Sequence, residues 1–221
     1  MKIQPLSPYF RYALFLLSLV IVAFGQPAWS SVLSLFASVV GYALFFRAAI
    51  DFGEWKRRFL VGTAWFTGVQ IIQLSWTLSH PYLYIIAPWL LYSLLMGFQF
   101  GLVSVLASPQ KVTEWSRILT ICAVWTLCEW SRLFFLSGFA FNPTGMALAG
   151  NLYTLQASSI AGIYGLSFLV MLTNLLFLRA YLFQFRWVDL TVFGLVAVSP
   201  FLYGSMQLSA KGRNVERSPT I

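Results

Sequence analysis

Apolar residues gather into seven runs, residues 10–24, 29–46, 59–78, 82–106, 118–135, 152–178 and 188–203, separated by shorter polar or turn-forming stretches. A hydrocarbon core about 30 Å thick takes roughly 20 residues of helix to cross, with about 17–25 as the usual range. Most of the seven match; the first and last are short, and 152–178 is long enough to include residues outside the core. Each run is expected to be helical, because backbone N–H and C=O groups in lipid must bond within their own segment. The pattern predicts an all-α polytopic membrane bundle of about seven transmembrane helices. The longest gaps are 47–58, 136–151 and 204–221. None reaches the roughly 50 residues that a separate soluble domain needs. The expected organisation is a seven-span membrane domain over residues 1–203 and a short polar tail over 204–221.

Charge gives the bundle an expected direction. Charged residues are 9% of the chain, against about 25% in soluble proteins. Lys2, Arg11, Arg47, Lys56, Arg57, Arg58, Lys111, Arg117, Arg179 and Arg186 lie at or near alternate inter-span segments. The opposite segments hold Arg132 and, in the tail, Lys211, Arg213 and Arg217. Basic loops stay on the cytoplasmic side, so the N-terminus is expected inside and the tail outside, in the periplasm. The net charge of +8 does not point to nucleic acid, because the basic residues are scattered over short loops and form no patch. The first run also reads as a signal peptide, with Ala23-Phe24-Gly25 as a weak cleavage site. The charge alternation favours a retained span. The loop around Asp51 and Glu54 reads as solvated.

Several residues have bland readings. Cys122 and Cys128 are six apart in one run, about 600° around a helix, so they diverge and read as bystander thiols. No spacing suggests a metal site, and no cofactor is implied. His80, the only histidine, sits beside Pro81 and reads as a polar turn residue. Small residues four apart (Ala64/Gly68, Gly97/Gly101, Ala157/Ala161/Gly165) read as helix-packing positions. No internal repeat supports a transporter, and no lysine in the last run supports a retinal pump.

The fifth run carries the informative constellation. Trp125, Glu129 and Arg132 are at i, i+4 and i+7 and share a helix face. Glu129 falls about 10 Å below the outer end of the run, where a carboxylate is costly unless paired. Arg132, one turn further out, is the expected partner. One reading is an interfacial ion pair that fixes helix depth. The other is a substrate- or lipid-facing spot made of Trp125, Glu129 and Arg132 with Gly138, Phe139 and Phe141, since the loop beyond the span is apolar.

The pattern W-x-x-x-E-W-x-R at 125–132, followed by Gly138-Phe139-Ala140-Phe141, resembles the membrane domain of apolipoprotein N-acyltransferases. Gly162-Ile163-Tyr164-Gly165-Leu166-Ser167-Phe168-Leu169, with Asn174 beyond, is similar to that family's next span. The likeness runs from Phe24 to about Gly204. It departs at Phe24-Gly25-Gln26-Pro27, where the family tends to have alanine before the proline, and at Ala140, where it often has proline. The resemblance implies a bacterial inner-membrane protein that moves an acyl chain from a phospholipid to the N-terminal cysteine of a diacylated lipoprotein. It also implies that a Glu–Lys–Cys triad does the chemistry in a nitrilase-like domain outside the membrane.

No catalytic residue is assigned in these 221 residues. Lys211 and Glu216 match no triad position and read as linker charges. The expectation is the membrane part of such an acyltransferase, truncated or frameshifted, or split from a separate nitrilase-like chain, and inactive alone. Its expected partners are membrane phospholipid and the lipoprotein. The rival reading is a non-catalytic seven-helix anchor for another enzyme, such as a polyprenyl-phosphate glycosyltransferase.

Overall fold

A computed structural model describes residues 4–109, 111–134 and 138–216, with side chains of the last helix described as far as Ala210. The described residues are helical, with no strand among them. Helix α1 is Pro8–Ala23; Ser7 caps it by accepting from Phe10 N at 3.3 Å, and Pro8 suits the first turn, where its missing N–H costs nothing. Helix α2 is Ser31–Ala49, capped by Ser30. Helix α3 is Trp55–Gln73, followed by a 3₁₀ turn at Ser75–Ser79. Helix α4 is Ile86–Leu106 and α5 is Trp115–Ser131, which tightens into a 3₁₀ turn at Arg132–Phe134. A further 3₁₀ segment at Thr144–Leu148 leads to the short α6, Leu152–Gln156. Helix α7 is Ser158–Leu182, and α8 is Trp187–Glu216.

Every apolar run therefore carries a helix. Among the described residues four helices are long and apolar enough to cross a membrane: Ser31–Ala49, Leu83–Leu106, Ser158–Leu182 and Trp187–Ala210. This is a multi-pass membrane protein. Its exterior is apolar, with Leu195, Val198, Leu202 and Met206 of α8 exposed. Its interior holds Gln70, Gln73, Glu129, Arg132 and Asn174, all buried. Hydrocarbon covers the first set at no cost, whereas the second set needs partners inside the protein.

The centre is aromatic. Phe45 and Trp65 lie 4.4 Å apart between centroids, Phe66 and Phe100 4.8 Å, and Phe100 and Trp125 5.3 Å, joining α2, α3, α4 and α5. Beside this cluster α2 opens into a π-helical turn at Ala37–Gly41. Asn174 of α7 fills the gap. Its Oδ1 accepts from Tyr42 N and Ala43 N at 2.9 and 3.0 Å, and its Nδ2 donates to Ala37 O, Ser38 O and Val170 O. A widened turn frees backbone groups that lipid cannot satisfy, and one amide side chain satisfies four of them.

The small-residue stripes behave differently from one another. Gly97 and Gly101 of α4 do bring two backbones together: a Cβ at either would strike Thr67 Oγ1 or Thr63 Oγ1 of α3. The facing glycine is Gly62, which meets Ser104 in the same way. Gly68 faces only Leu19 of α1, at an ordinary 3.6 Å. The stripe at Ala157, Ala161 and Gly165 is interrupted, because α7 breaks at Ala161 and at Gly162, whose φ is 63°.

The short connections bring Arg11, Arg47, Lys56, Arg57, Arg58, Lys111, Arg117, Arg179 and Arg186 to one end of the bundle. The loop there is more buried than its composition suggests. The Asp51 side chain is 3% exposed and paired to Arg47 at 2.8 Å, and it also accepts from Leu6 N. Arg58 closes the same loop by donating to Phe52 O and Gly53 O, both at 2.9 Å. The stretch from Gly53 to Arg57 is exposed and matches the solvated reading, with Glu54 and Arg57 paired at 3.2 Å. Asp189 holds Arg179 at 2.7 Å and Arg186 at 2.9 Å, joining α7 to α8.

Candidate functional site

Glu129 lies on the inner face of α5 and is 1% exposed. Its Oε1 accepts from Thr144 N and from Thr144 Oγ1, both at 2.7 Å. Trp125, one turn earlier on the same face, donates from Nε1 to Thr144 Oγ1 at 2.8 Å. The threonine hydroxyl thus accepts from the indole and donates to the carboxylate. Thr144 opens the 3₁₀ segment after Asn142-Pro143, and Gly145 N donates to Ser167 Oγ of α7 at 2.9 Å. Ser34 Oγ of α2 donates to Ala147 O. The segment 142–148 is therefore tied to α5, α7 and α2 by buried polar bonds.

Arg132 is 2% exposed and does not pair with Glu129. Its Nε donates to Gln99 Oε1 of α4 at 2.8 Å, and Gln99 Nε2 donates to Cys128 O and Ser131 Oγ at 3.1 and 3.3 Å. The guanidinium carbon is 5.3 Å from the Trp125 ring centroid. The expected i, i+3 ion pair fails for a geometric reason. Arg132 is engaged by Gln99 of α4, and Glu129 by Thr144 of the loop. The shared face of Trp125, Glu129 and Arg132 turns inward; lipid offers these polar ends no partner, whereas Thr144 and Gln99 do.

Gly138, Phe139 and Phe141 lie on the loop between α5 and α6, at the end of the bundle away from the basic loops. Gly138 is exposed with φ 84°, a conformation that favours glycine. Phe139 stacks on Tyr92 of α4 with centroids 3.4 Å apart and planes within 4°. Phe141 packs against Phe139 at 4.6 Å and Trp76 at 5.7 Å. Together they wall an apolar cleft of about 270 Å³ between the end of α3 and the start of α4, with Leu74, Trp76, Trp89 and Tyr92 opposite. His80 lines the rim, and its Nδ1 accepts from Tyr82 N at 3.4 Å, as a turn residue would.

The cleft can hold hydrocarbon, and the polar bonds behind it can hold the loop. Cys122 and Cys128 are free thiols, and among the described residues neither bonds to a base. No group of three His, Cys, Asp or Glu among the described residues is placed to hold a metal.

Sequence reasoning missed Thr144, Gln99 and Ser167. Gln99 carried a usable signal, being a polar amide between Gly97 and Gly101 in an apolar run. Thr144 carried a weaker one, as a hydroxyl directly after Asn142-Pro143.

Residues 18–176 match the family model for the apolipoprotein N-acyltransferase N-terminal domain. The chain belongs to the apolipoprotein N-acyltransferase family. It is 30% identical over 168 residues to a Chlamydia muridarum apolipoprotein N-acyltransferase, covering 72% of this chain and 31% of that protein. With the Chlamydia caviae apolipoprotein N-acyltransferase it shares 27% over 209 residues, 89% of this chain and 38% of the other. The Rickettsia prowazekii apolipoprotein N-acyltransferase is 30% identical over 98 residues, 43% of this chain and 20% of its own length. The chain thus spans about a third of the length of the chlamydial relatives. The part matched to the acyltransferase N-terminal domain takes in all of α2 to α6 and most of α7. It therefore includes the Glu129–Thr144 clamp, the cleft and Asn174.

Proposed function

We propose that this acyltransferase N-terminal domain holds a phospholipid acyl chain beside the outer face of the bacterial inner membrane. There a nitrilase-like domain transfers the acyl group to the N-terminal cysteine of a diacylated lipoprotein. The observation that carries the reading is the apolar cleft at the end of α3 and α4, walled by Phe139 and Phe141. Its lining suits hydrocarbon and lacks the convergent polar groups that a soluble substrate would require. The loop that forms the wall is held by Glu129 through Thr144. These 221 residues supply lipid binding and position, and the Glu–Lys–Cys chemistry comes from outside them, on the same or a separate chain.

The test is an acyl-transfer assay with phosphatidylethanolamine and a diacylated lipopeptide, read by mass spectrometry. The 221 residues alone should give no triacylated peptide. Adding a nitrilase-like catalytic domain should give product, and Phe139→Ala should lower its rate about tenfold, as loss of one well-packed aromatic contact would. Product formed without the added domain, or a Phe139→Ala rate equal to the parent, would overturn the proposal.

A further inference from the structure

A second apolar groove lies at the basic end, remote from the cleft at Phe139. Phe10 and Leu14 of α1, Leu44 of α2, and Phe177 and Tyr181 of α7 line about 180 Å³ of space that ends at Arg47. Phe10 and Tyr181 are partly exposed at its mouth, so the groove opens sideways, toward the surface that lipid covers. Arg47 is 6% exposed. Its Nη1 is taken by Asp51 and its Nη2 by Gln4 O, both at 2.8 Å, while its Nε is buried without a partner. Arg11 of α1 has its guanidinium carbon 4.8 Å from the ring of Phe52, the residue after Asp51. Its Nε is also buried and unpartnered, and among the described residues no carboxylate pairs with it.

The groove thus ends at a guanidinium with one N–H unspent, and Arg11, next in sequence to the lining residue Phe10, adds a second cation on the same helix end. An unspent buried donor on a cation is costly unless something accepts from it. We propose that this groove binds one bilayer phospholipid with an anionic headgroup. One acyl chain would lie between α1, α2 and α7, and the phosphate would accept from Arg47 Nε and from Arg11. The site is distinct from the proposed substrate cleft, and the lipid there is a resident ligand. The excess positive charge favours an anionic headgroup over a zwitterionic one, and the groove demands an attached chain.

Native mass spectrometry of the full chain in detergent tests this with phosphatidylglycerol and phosphatidylethanolamine of identical acyl chains. Inorganic phosphate serves as a competitor. One phosphatidylglycerol should be retained about fivefold more tightly than phosphatidylethanolamine, the increment expected for one basic residue near a headgroup. Leu44→Trp, which fills the groove, should abolish that retention. Arg11→Gln should remove the headgroup preference while leaving chain binding. Both variants leave the Arg47–Asp51 pair in place, and gel filtration with circular dichroism checks their fold. Equal retention of the two lipids, or unchanged retention in Leu44→Trp, would overturn the proposal. Displacement by phosphate alone would also overturn it, since the site would then be an anion site without a lipid groove.

Discussion

Thr144 joins two interior side chains, Trp125 and Glu129, through its hydroxyl and its own backbone N–H. Removing its hydroxyl leaves the Trp125 indole N–H without an acceptor and takes one of the two donors from Glu129. Leaving a buried donor unsatisfied costs about 1–3 kcal/mol. Thr144→Val should therefore lower stability by about 1–3 kcal/mol, seen as a lower melting temperature in detergent. Glu129→Gln should be milder, because an amide oxygen still accepts from Thr144 and the free Oε2 has no partner to lose. A larger loss for Glu129→Gln than for Thr144→Val would contradict the clamp. The shared face of Trp125 and Glu129 was legible in the sequence, since i, i+4 spacing fixes it. Their partner was not, because Thr144 lies 15 residues on and reaches them only through the tertiary fold. Helical spacing also placed Arg132 over Trp125 on that face, but its partner Gln99 lies on α4 and was not legible.

At the scale of elements, two contacts separate close helix approach from mere small-residue spacing. Gly101→Val should push α4 off α3 and destabilise by about 1–3 kcal/mol, as overpacking does, with the melting temperature as readout. Gly68→Ala should be within about 0.5 kcal/mol of the parent, since the new methyl meets only Leu19 at 3.6 Å. Equal losses would mean that α3 uses the Gly68 face. The π turn of α2 gives a second test. Asn174→Leu would leave Tyr42 N, Ala43 N, Ala37 O and Ser38 O without their partner. It should be the most damaging single interior substitution of the three named here. The helices themselves were legible because each apolar run is long and bounded by turn residues. The π turn, the break at Gly162 and the split of 152–178 into α6 and α7 were not. Each depends on a distant partner and leaves the apolar pattern unchanged.

For the whole molecule, the basic end and the outer loop lie at opposite ends of the helices, and positive charge is retained on the cytoplasmic side. Single cysteines at Lys56, Lys111 and Arg186 should be protected from a membrane-impermeant thiol reagent on intact spheroplasts. Cysteines at His80 and Asn142 should be labelled. Labelling at 111 or protection at 142 would overturn the seven-crossing arrangement.

The central claim is that the cleft between α3, α4 and the Phe139 loop holds an acyl chain. The most direct measurement is photocrosslinking of the protein in vesicles with a phospholipid carrying a photoactivatable group in one acyl chain, mapped by peptide mass spectrometry. The account predicts adducts concentrated on Trp89, Tyr92, Phe139 and Phe141, and lost when Leu74→Trp fills the cleft. Adducts spread evenly over the exposed apolar faces of α1, α5 and α8, and unchanged by Leu74→Trp, would contradict it.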